Sequence, residues 1–361
     1  RLHALEREFG SEVILASVTR ILEATEKQTR ATISEWRDGT YEGTALLDDD
    51  GRGNDDIAIC AKVTVNGSSV TVDLTQSDDE VESFVNSSLA NTRSAVLVAI
   101  SVLLDPETPK NEGVARAVEI LTRPGSIVNP NSGKPVTMCT SHCGNEIIEA
   151  VVVALSEACP DRAMGGWGRR LRIALKGSDP RNGRAFIWHM FHARPGGGAS
   201  SAGDGWHNAG EWHSAGGLKF GSVEVAETRF PLYFARHEFR PDSGGGGRYV
   251  GGTGVDLELK VETDAPVVAN VAGEGVRHGA RGMLGGADGA PHRYALLAPG
   301  QEEVLLASKI EGLAVPAGST FLVQSGGGGG WGPPGERDAD ARGRDVENGF
   351  VTGTGNSERN P

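Results

Sequence analysis

Four of the nine histidines lie in the glycine-rich segment 188–213, where acid–base chemistry is the first function to consider. Histidine gives up or takes a proton near neutral pH, and a neighbouring carboxylate can orient its ring. Two of these imidazoles, His207 and His213, stand close to the carboxylates of Asp204 and Glu211. We expect these four side chains to be catalytic, and they could also contribute to a cation site. A surface loop with hydrogen-bonded polar tips is the structural alternative.

A second cluster, Cys139, His142 and Cys143, has the spacing C-x-x-H-C before a predicted helix. Thiolates and an imidazole at such spacing can hold zinc, although zinc normally takes four ligands and no fourth is visible. A helix N-terminus also favours the thiolate form, which suits a nucleophile. The alternative is a strand-to-helix junction of small residues with half-buried cysteines.

Glycine is unusually abundant, with 52 residues in 361, and two blocks, 244–254 and 325–332, are nearly continuous. Neither block is followed by the Lys-Ser/Thr pair and helix that a phosphate-binding loop requires. We therefore predict tight turns between strands and no ATP binding by this chain. Because glycine has no side chain to bury, we expect these blocks to form no core of their own.

The composition excludes several classes of protein. A net charge of −13 argues against nucleic-acid binding, which needs clustered Lys and Arg. No apolar run approaches the roughly 20 residues of a membrane span, and no signal peptide is visible. Four cysteines are too few for a disulfide scaffold. These features predict a reduced cytoplasmic compartment, with proteins or small molecules as partners.

The N-terminal half shows helical and strand patterns in turn. Apolar periodicity predicts a helix over 11–36, and the alternation around Asn66-Gly67 predicts a hairpin closed by a type I′ turn. A buried helix is expected over 91–104, and another from about Asn145.

The C-terminal half consists of short apolar runs separated by Gly, Pro and Asp. Nine strands are predicted between residues 171 and 325, including one over 222–231. Such spacing indicates a sandwich or barrel-like body. The fold class is therefore α+β: a helix–hairpin–helix region over 1–165, a β-rich region with Gly/His loops over 166–335 and a charged tail over 336–361.

Several motifs spread over the chain resemble those of one family, the hydantoinase B/5-oxoprolinase family. They are DGTYEGTALLDDDG (38–51), NEG (111–113), RPGSIVNP (123–130), EVAETRFP (224–231), HEFRPDSGGGGRYVGGTG (237–254) and GGGGGWGPPGERD (326–338). Related proteins include the corresponding subunits of ATP-dependent acetone and acetophenone carboxylases.

The resemblance implies a two-component enzyme. A hydantoinase A-type subunit binds ATP and phosphorylates an amide or enolate oxygen, and the B-type subunit carries the activated intermediate to hydrolysis or carboxylation beside a divalent metal. The leading expectation is an ATP-dependent cyclic amide hydrolase acting on hydantoin, oxoproline or lactam rings. A ketone carboxylase and a non-catalytic scaffold are the alternatives.

The resemblance also bears on the metal. Family members are longer at the N-terminus, and that extension carries the His and Asp residues thought to hold the ion. This sequence starts at Arg1 with no such extension. We therefore expect the metal to be bound mainly outside this chain, on the rest of a longer polypeptide or on a separate partner chain.

Overall fold

Helices and strands are mixed along the chain in the computed structural model, which describes residues 1–214 and 220–352. This arrangement confirms the predicted α+β class. The helices of these residues are α1 Leu2–Phe9, α2 Ser11–Ile33, α3 Leu89–Leu103, α4 Glu112–Ala115, α5 Cys143–Leu155, α6 Val223–Arg229 and α7 Ala339–Glu347. The strands are β1 Gly39–Asp49, β2 Asp55–Asn66, β3 Ser69–Asp73, β4 Val118–Leu121, β5 Ile173–Ser178, β6 Ala185–His189, β7 Leu232–Phe239, β8 Val255–Val261, β9 Val267–Ala272, β10 Arg293–Leu297, β11 Val304–Leu305, β12 Lys309–Val315 and β13 Thr320–Gln324.

The first sheet has the order β1-β2-β3-β4, with β4 running parallel to β3. The predicted hairpin between β2 and β3 is present, but the predicted turn type is wrong. Asn66 pairs with Ser69 as the last strand residue, so Gly67 and Ser68 form the loop. Only Gly67 has a positive φ, of 59°. Glycine at the first loop position fits a type II′ turn.

Helices α3 and α5 pack against this sheet and each other. The buried helix predicted over 91–104 is confirmed, and it begins at Leu89 with Ser88 as its N-cap. Helix α5 is buried along nearly its whole length and begins at Cys143, two residues before the predicted start. Turns precede it where a strand was expected, so Cys139 and His142 lie in a turn and Cys143 is the first residue of the helix.

The C-terminal half is a sandwich of two antiparallel sheets, as predicted. Their strand orders are β11-β10-β13-β8-β7 and β12-β9-β5-β6, and side chains of both sheets share one apolar core. The strand predicted over 222–231 is wrong, because Val223–Arg229 is helix α6. Ser222 caps that helix by accepting a hydrogen bond from the Val225 amide, and this cap outweighs the strand-like alternation.

The glycine blocks pack on one another, which contradicts both the expected turns and the expected lack of a core. Segments 165–168, 196–198, 244–254 and 279–289 surround the extended segment 326–330, and we call this arrangement the glycine bundle. Backbone hydrogen bonds join its segments; for example, the amide of Gly328 donates to the carbonyl of Gly252 at 2.9 Å. A Cβ atom on Gly328 would lie 2.0 Å from the Gly197 oxygen. Only glycine allows chains to approach this closely, as in collagen.

Two apolar cores lie on either side of residue 165, but they are not independent. Trp212 and Met283 come from the second half of the chain and pack in the core of the first. A domain boundary near residue 165 stays a prediction. The predicted tail contains α7, and its residues 353–361 lie outside the described part. Within residues 1–214 and 220–352, no helix has the length and apolar character needed to cross a bilayer.

Candidate functional site

The structure separates the four predicted catalytic residues into two places. Asp204 and His207 line a cavity of about 190 Å³, which we call the His207 cavity. The residues after α7, including Phe350, close its other side. Glu211 and His213 lie elsewhere, where the β sandwich meets the start of α5.

The imidazole of His207 is held by backbone and aromatic contacts. The Thr253 amide donates a hydrogen bond to its Nδ1 at 3.0 Å, and the Phe350 ring lies 4.0 Å away, centroid to centroid. Since an amide can only donate, Nδ1 must be the acceptor and Nε2 must carry the proton. Burial lowers the pKa of His207, which favours this neutral form, while Asp204 opposes the decrease. This tautomer has no free lone pair with which to act as a general base.

Asp204 is fixed by an arginine. The two carboxylate oxygens accept hydrogen bonds from Arg337 at 2.8 and 3.0 Å, and the Val250 amide donates to Oδ1 at 2.8 Å. Burial alone would raise the pKa of Asp204, but the hydrogen bonds from Arg337 and Val250 outweigh it and hold the pKa below its ordinary value. Arg337 also binds Asp345 of α7. Asp204 therefore ties the C-terminal segment to the glycine bundle.

His213 has the opposite hydrogen-bonding arrangement. Oδ1 of Asn145, in the first turn of α5, lies 3.1 Å from the His213 amide and 3.2 Å from its Nδ1. The side-chain amide of Asn145 donates to the Ser141 carbonyl at 2.9 Å, which fixes Oδ1 as the acceptor. Nδ1 of His213 must then carry the proton. The lone pair is then on Nε2, which forms no hydrogen bond within residues 1–214 and 220–352, and His213 is exposed.

The electrostatic surroundings of His213 favour a neutral imidazole. Partial desolvation lowers its pKa, and Glu211 opposes the decrease. The nearby positive charges of Arg170 and Arg194 add to the decrease. A neutral imidazole with a free Nε2 is the form that accepts a proton from water.

Glu211 is fully buried and binds two arginines through one oxygen. Arg194 and Arg170 donate to its Oε1 at 2.8 and 3.1 Å. Both guanidinium groups also lie over the ring of Phe191, at 5.2 and 5.8 Å from its centroid. Glu211 therefore orients the guanidinium groups of Arg170 and Arg194. Its carboxylate is buried and is not placed to accept a proton from solvent.

A third arginine lies on the same face. Arg170 and Arg172 precede β5 in extended backbone, paired with the end of β9, so their side chains point to one side while Leu171 enters the sandwich core. Arg172 donates to Nδ1 of His189 at 3.0 Å and to the Met138 sulfur at 3.1 Å. We call Arg170, Arg172 and Arg194 the cationic face.

Sequence reasoning missed the cationic face and Asn145. The alternation of Arg170, Leu171 and Arg172 predicts two arginines on one side of a strand, and this signal was present in the sequence. The contact of Arg194 with the same carboxylate depends on tertiary structure, and so does the contact of Asn145 with His213.

The predicted metal ligands do not converge. Cys143 is buried with its sulfur 4.0 Å from the Ile127 carbonyl oxygen, and burial, followed by Glu146, raises the pKa of its thiol well above the ordinary value. The His142 ring is buried with its Nδ1 3.2 Å from the Ser141 hydroxyl. Cys139 lies half-buried in the preceding turn. In the described part of the chain, no group of three or more His, Cys, Asp or Glu is arranged to hold a metal ion. The geometry gives the zinc hypothesis no support.

Buried ion pairs join α5 to the sandwich beside this site. Arg169 contacts Glu146 at 2.9 Å and donates to Glu149 at 2.6 and 2.8 Å. Lys309 pairs with Glu274 at 2.5 Å, and Glu274 accepts from the Asp48 amide of β1 at 2.8 Å. These contacts fix the two halves of the chain relative to each other.

Comparison with known proteins gives consistent matches. The model of the Hydantoinase B/oxoprolinase family matches residues 1–334. The beta subunit of caprolactamase from Pseudomonas jessenii is 31% identical over 358 residues, which is 95% of this chain and 60% of that protein. The crystal structure of the ATP-dependent caprolactamase from Pseudomonas jessenii superposes with a TM-score of 0.87 at 28% identity, covering 98% of this chain and 62% of that one.

A second solved structure, nucleotide-free acetone carboxylase, has a TM-score of 0.86 at 19% identity and covers 98% of this chain and 53% of that one. At this identity the likeness shows the shared fold alone. The chain spans about 60% of the length of the caprolactamase subunit that it matches.

Proposed function

This chain belongs to the hydantoinase B/oxoprolinase family, and from that membership we propose that it is a B-type subunit, or the corresponding portion of one, of an ATP-dependent cyclic amide hydrolase. The observation that carries the proposal is the 31% identity with a caprolactamase beta subunit along 95% of this chain. A lactam, hydantoin or oxoproline ring is the proposed substrate class.

Hydrolysis of an amide ring needs activation, because resonance makes the carbonyl carbon a poor electrophile. A hydantoinase A-type partner would supply ATP and transfer its γ-phosphoryl group to the amide oxygen, which lowers the barrier to attack by water. The primary structure of this chain contains no phosphate-binding loop motif, which is consistent with nucleotide binding on the partner.

We assign the attack on the activated ring to the His213 site. Asn145 holds the proton on Nδ1, so Nε2 of His213 carries the lone pair; no described residue hydrogen-bonds to this nitrogen, and His213 is exposed. It would take a proton from water as the water oxygen bonds to the ring carbon and the C=N π electrons move to the ring nitrogen. The ring nitrogen would receive that proton from His213 and the second proton of the same water as the C–N bond breaks, which leaves an amine and an acyl phosphate. A second water would hydrolyse the acyl phosphate to a carboxylate and inorganic phosphate. The cationic face lies beside His213, where negative charge develops.

The remaining predicted residues have supporting roles in this proposal. Glu211 orients Arg170 and Arg194, and the Asp204–Arg337 pair holds the wall of the His207 cavity. The described residues do not fit the divalent metal that the family resemblance implies. No step is therefore assigned to a metal here. The four free cysteines support the proposal of a reduced, cytoplasmic compartment.

Reconstitution tests the proposal. The chain is co-purified with a hydantoinase A-type subunit and given caprolactam, hydantoin or 5-oxoproline with ATP, and both ADP and the ring-opened product are measured. Ring opening that requires ATP and both polypeptides is the expected result. In a parallel assay with a ketone and bicarbonate, product formation that requires both would replace the amidase by a carboxylase. Full activity without this chain would show that it has no catalytic role and would favour the non-catalytic scaffold.

A further inference from the structure

The cationic face has more positive charge than the carboxylates of the described residues around it neutralise. Arg170 and Arg194 share one carboxylate, that of Glu211, while Arg172 donates to His189. Positive charges placed together in partly desolvated surroundings are unfavourable unless an opposite charge compensates them. In agreement, burial lowers the pKa of Arg172, and the charge of Arg170 lowers it further.

The hydrogen-bonding capacity of these groups is also incompletely used. Among the described residues, Arg172 contacts neutral acceptors, Met138 and His189, and forms no ion pair with a carboxylate. Within residues 1–214 and 220–352, the Nε atoms of Arg170 and Arg194 have no hydrogen-bond partner, and neither does Oε2 of Glu211, although all three residues are at least nine-tenths buried. Unsatisfied charged donors of this kind indicate that a ligand is missing from the site.

The face is reachable from solvent. Phe191, over which two of the guanidinium groups lie, is 44% exposed, and His213 beside it is exposed as well. Arg172 is half-buried at the same edge. A ligand could therefore place an anionic group against the arginines and an apolar ring against Phe191.

We propose that the cationic face of Arg170, Arg172 and Arg194 is a binding site for an oxyanion of the substrate or product. The planar guanidinium fork matches the oxygens of both phosphate and carboxylate. Two sources have this chemistry: the phosphate group of a phosphorylated ring, and the carboxylate of a ring-opened amino acid. Which molecule carries the oxyanion, a phosphorylated ring or a ring-opened amino acid, rests on the proposed function. The oxyanion site itself does not.

Calorimetric titration of the purified chain with inorganic phosphate and, separately, with acetate tests this site at neutral pH and low salt. The wild-type chain is expected to bind at least one of these anions. Arg172→Gln should weaken that binding by about tenfold or more, because it removes the least neutralised charge. Arg236→Gln is the matched control: Arg236 lies on β7 with its side chain 48% exposed, and this variant should change the affinity by less than about twofold.

Arg172→Lys provides a second test that keeps the charge but loses the fork, and its affinity should fall between those of the wild type and Arg172→Gln. Tighter binding of phosphate assigns the face to a phosphorylated ring, and tighter binding of acetate assigns it to a carboxylate product. Absence of binding of both anions, or equal binding by the wild type and Arg172→Gln, would overturn the proposal. Because neither ATP nor a partner is needed, the result is independent of whether the amidase assay succeeds.

Discussion

Oδ1 of Asn145 accepts hydrogen bonds from both the backbone amide and Nδ1 of His213, at 3.1 and 3.2 Å. This contact joins the first turn of α5 to the chain between segments 196–198 and 244–254 of the glycine bundle, although the two residues are 68 positions apart. It also determines which nitrogen of His213 is free to take a proton. The contact connects the fold to the proposed chemistry.

Replacing Asn145 should change the pH dependence of the reaction. Asn145→Asp keeps an acceptor for Nδ1 but adds a negative charge, which should raise the pKa of His213 above that in the wild type. A general base works when unprotonated, so the rate falls as the pH drops through its pKa, and this acidic limb should move to higher pH. Rate–pH profiles of the reconstituted complex measure this shift.

Asn145→Leu serves as the comparison, because it removes the acceptor altogether. It should lower kcat by about tenfold or more at every pH, since the ring is then free to adopt the wrong tautomer. An unchanged acidic limb in Asn145→Asp, together with full activity in Asn145→Leu, would refute the positioning role.

Arg169 should contribute strongly to stability, because it is buried between Glu146 and Glu149. Arg169→Met leaves two carboxylates buried without their partner, which should lower the free energy of unfolding by about 3–5 kcal/mol. Urea denaturation measures the loss. Arg236→Met, which breaks exposed pairs with Glu238 and Glu258, should cost less than about 1 kcal/mol. Equal, small losses in both variants would show that the buried pairs do not hold the two halves together.

The glycine bundle should not tolerate even one methyl group. In Gly328→Ala the new Cβ would lie 2.0 Å from the Gly197 oxygen, so a loss of about 3 kcal/mol or more is expected. Gly343→Ala is the control, because Gly343 lies in α7 with open space around it. That substitution should stabilise the helix by about 0.5–1 kcal/mol. Thermal unfolding of both variants compares them, and a stable Gly328→Ala protein would contradict the close packing described here.

His292 should make part of the stability depend on pH. Its Nε2 donates to the Arg169 carbonyl at 2.8 Å, and its Nδ1 accepts from the Gly326 amide at 2.7 Å. A second proton, bound to Nδ1, would point at the N–H group of Gly326 and break that hydrogen bond. Burial, the largest cause, lowers the pKa of His292 to about 4. The folded pKa lies below the ordinary value of about 6.5, so the stabilising contribution is complete above pH 6.5 and is lost towards pH 4.

The size of that contribution is roughly 3 kcal/mol, from about 1.4 kcal/mol per pKa unit. Burial raises the pKa of Glu274 to about 7, which has the opposite pH dependence, so the wild type alone cannot isolate His292. The measurement is therefore the difference in unfolding free energy between the wild type and His292→Gln across pH 4–7. The difference should shrink as the pH falls, and a constant difference would show that His292 does not stay neutral.

Local patterns in the sequence predicted much of the fold. Alternating apolar residues predicted strands in all three sheets, and the Asn66-Gly67 pair predicted the β2–β3 hairpin. The error at α6 has a local cause, since Val223-Glu-Val alternates as a strand does, while the Ser222 cap decides for a helix.

The glycine bundle could not be predicted in the same way. Glycine clusters usually mark turns, and neighbouring chains decide whether they pack instead. The segment 326–330 becomes buried because four other glycine-rich segments approach it from distant positions in the chain.

The candidate site was predicted only in part for a similar reason. His207 and His213 are six positions apart, yet one contacts Thr253 and the other contacts Asn145. Sequence proximity placed them together, whereas the hydrogen bond at Nδ1, which decides whether each ring can act as a base, comes from tertiary structure. Arg172 was part of a predicted strand, and its lack of a carboxylate partner among the described residues is visible only in the folded chain.

The central claim is that Nε2 of His213 takes the proton during ATP-dependent ring opening. The most direct measurement is kcat/KM for the lactam with His213→Gln in the reconstituted complex, with His3→Gln on the exposed helix α1 as the control and gel filtration to show that the complex is intact. A loss of about 100-fold or more in His213→Gln, with His3→Gln equal to the wild type, is the predicted result. Wild-type turnover by an intact His213→Gln complex would contradict it.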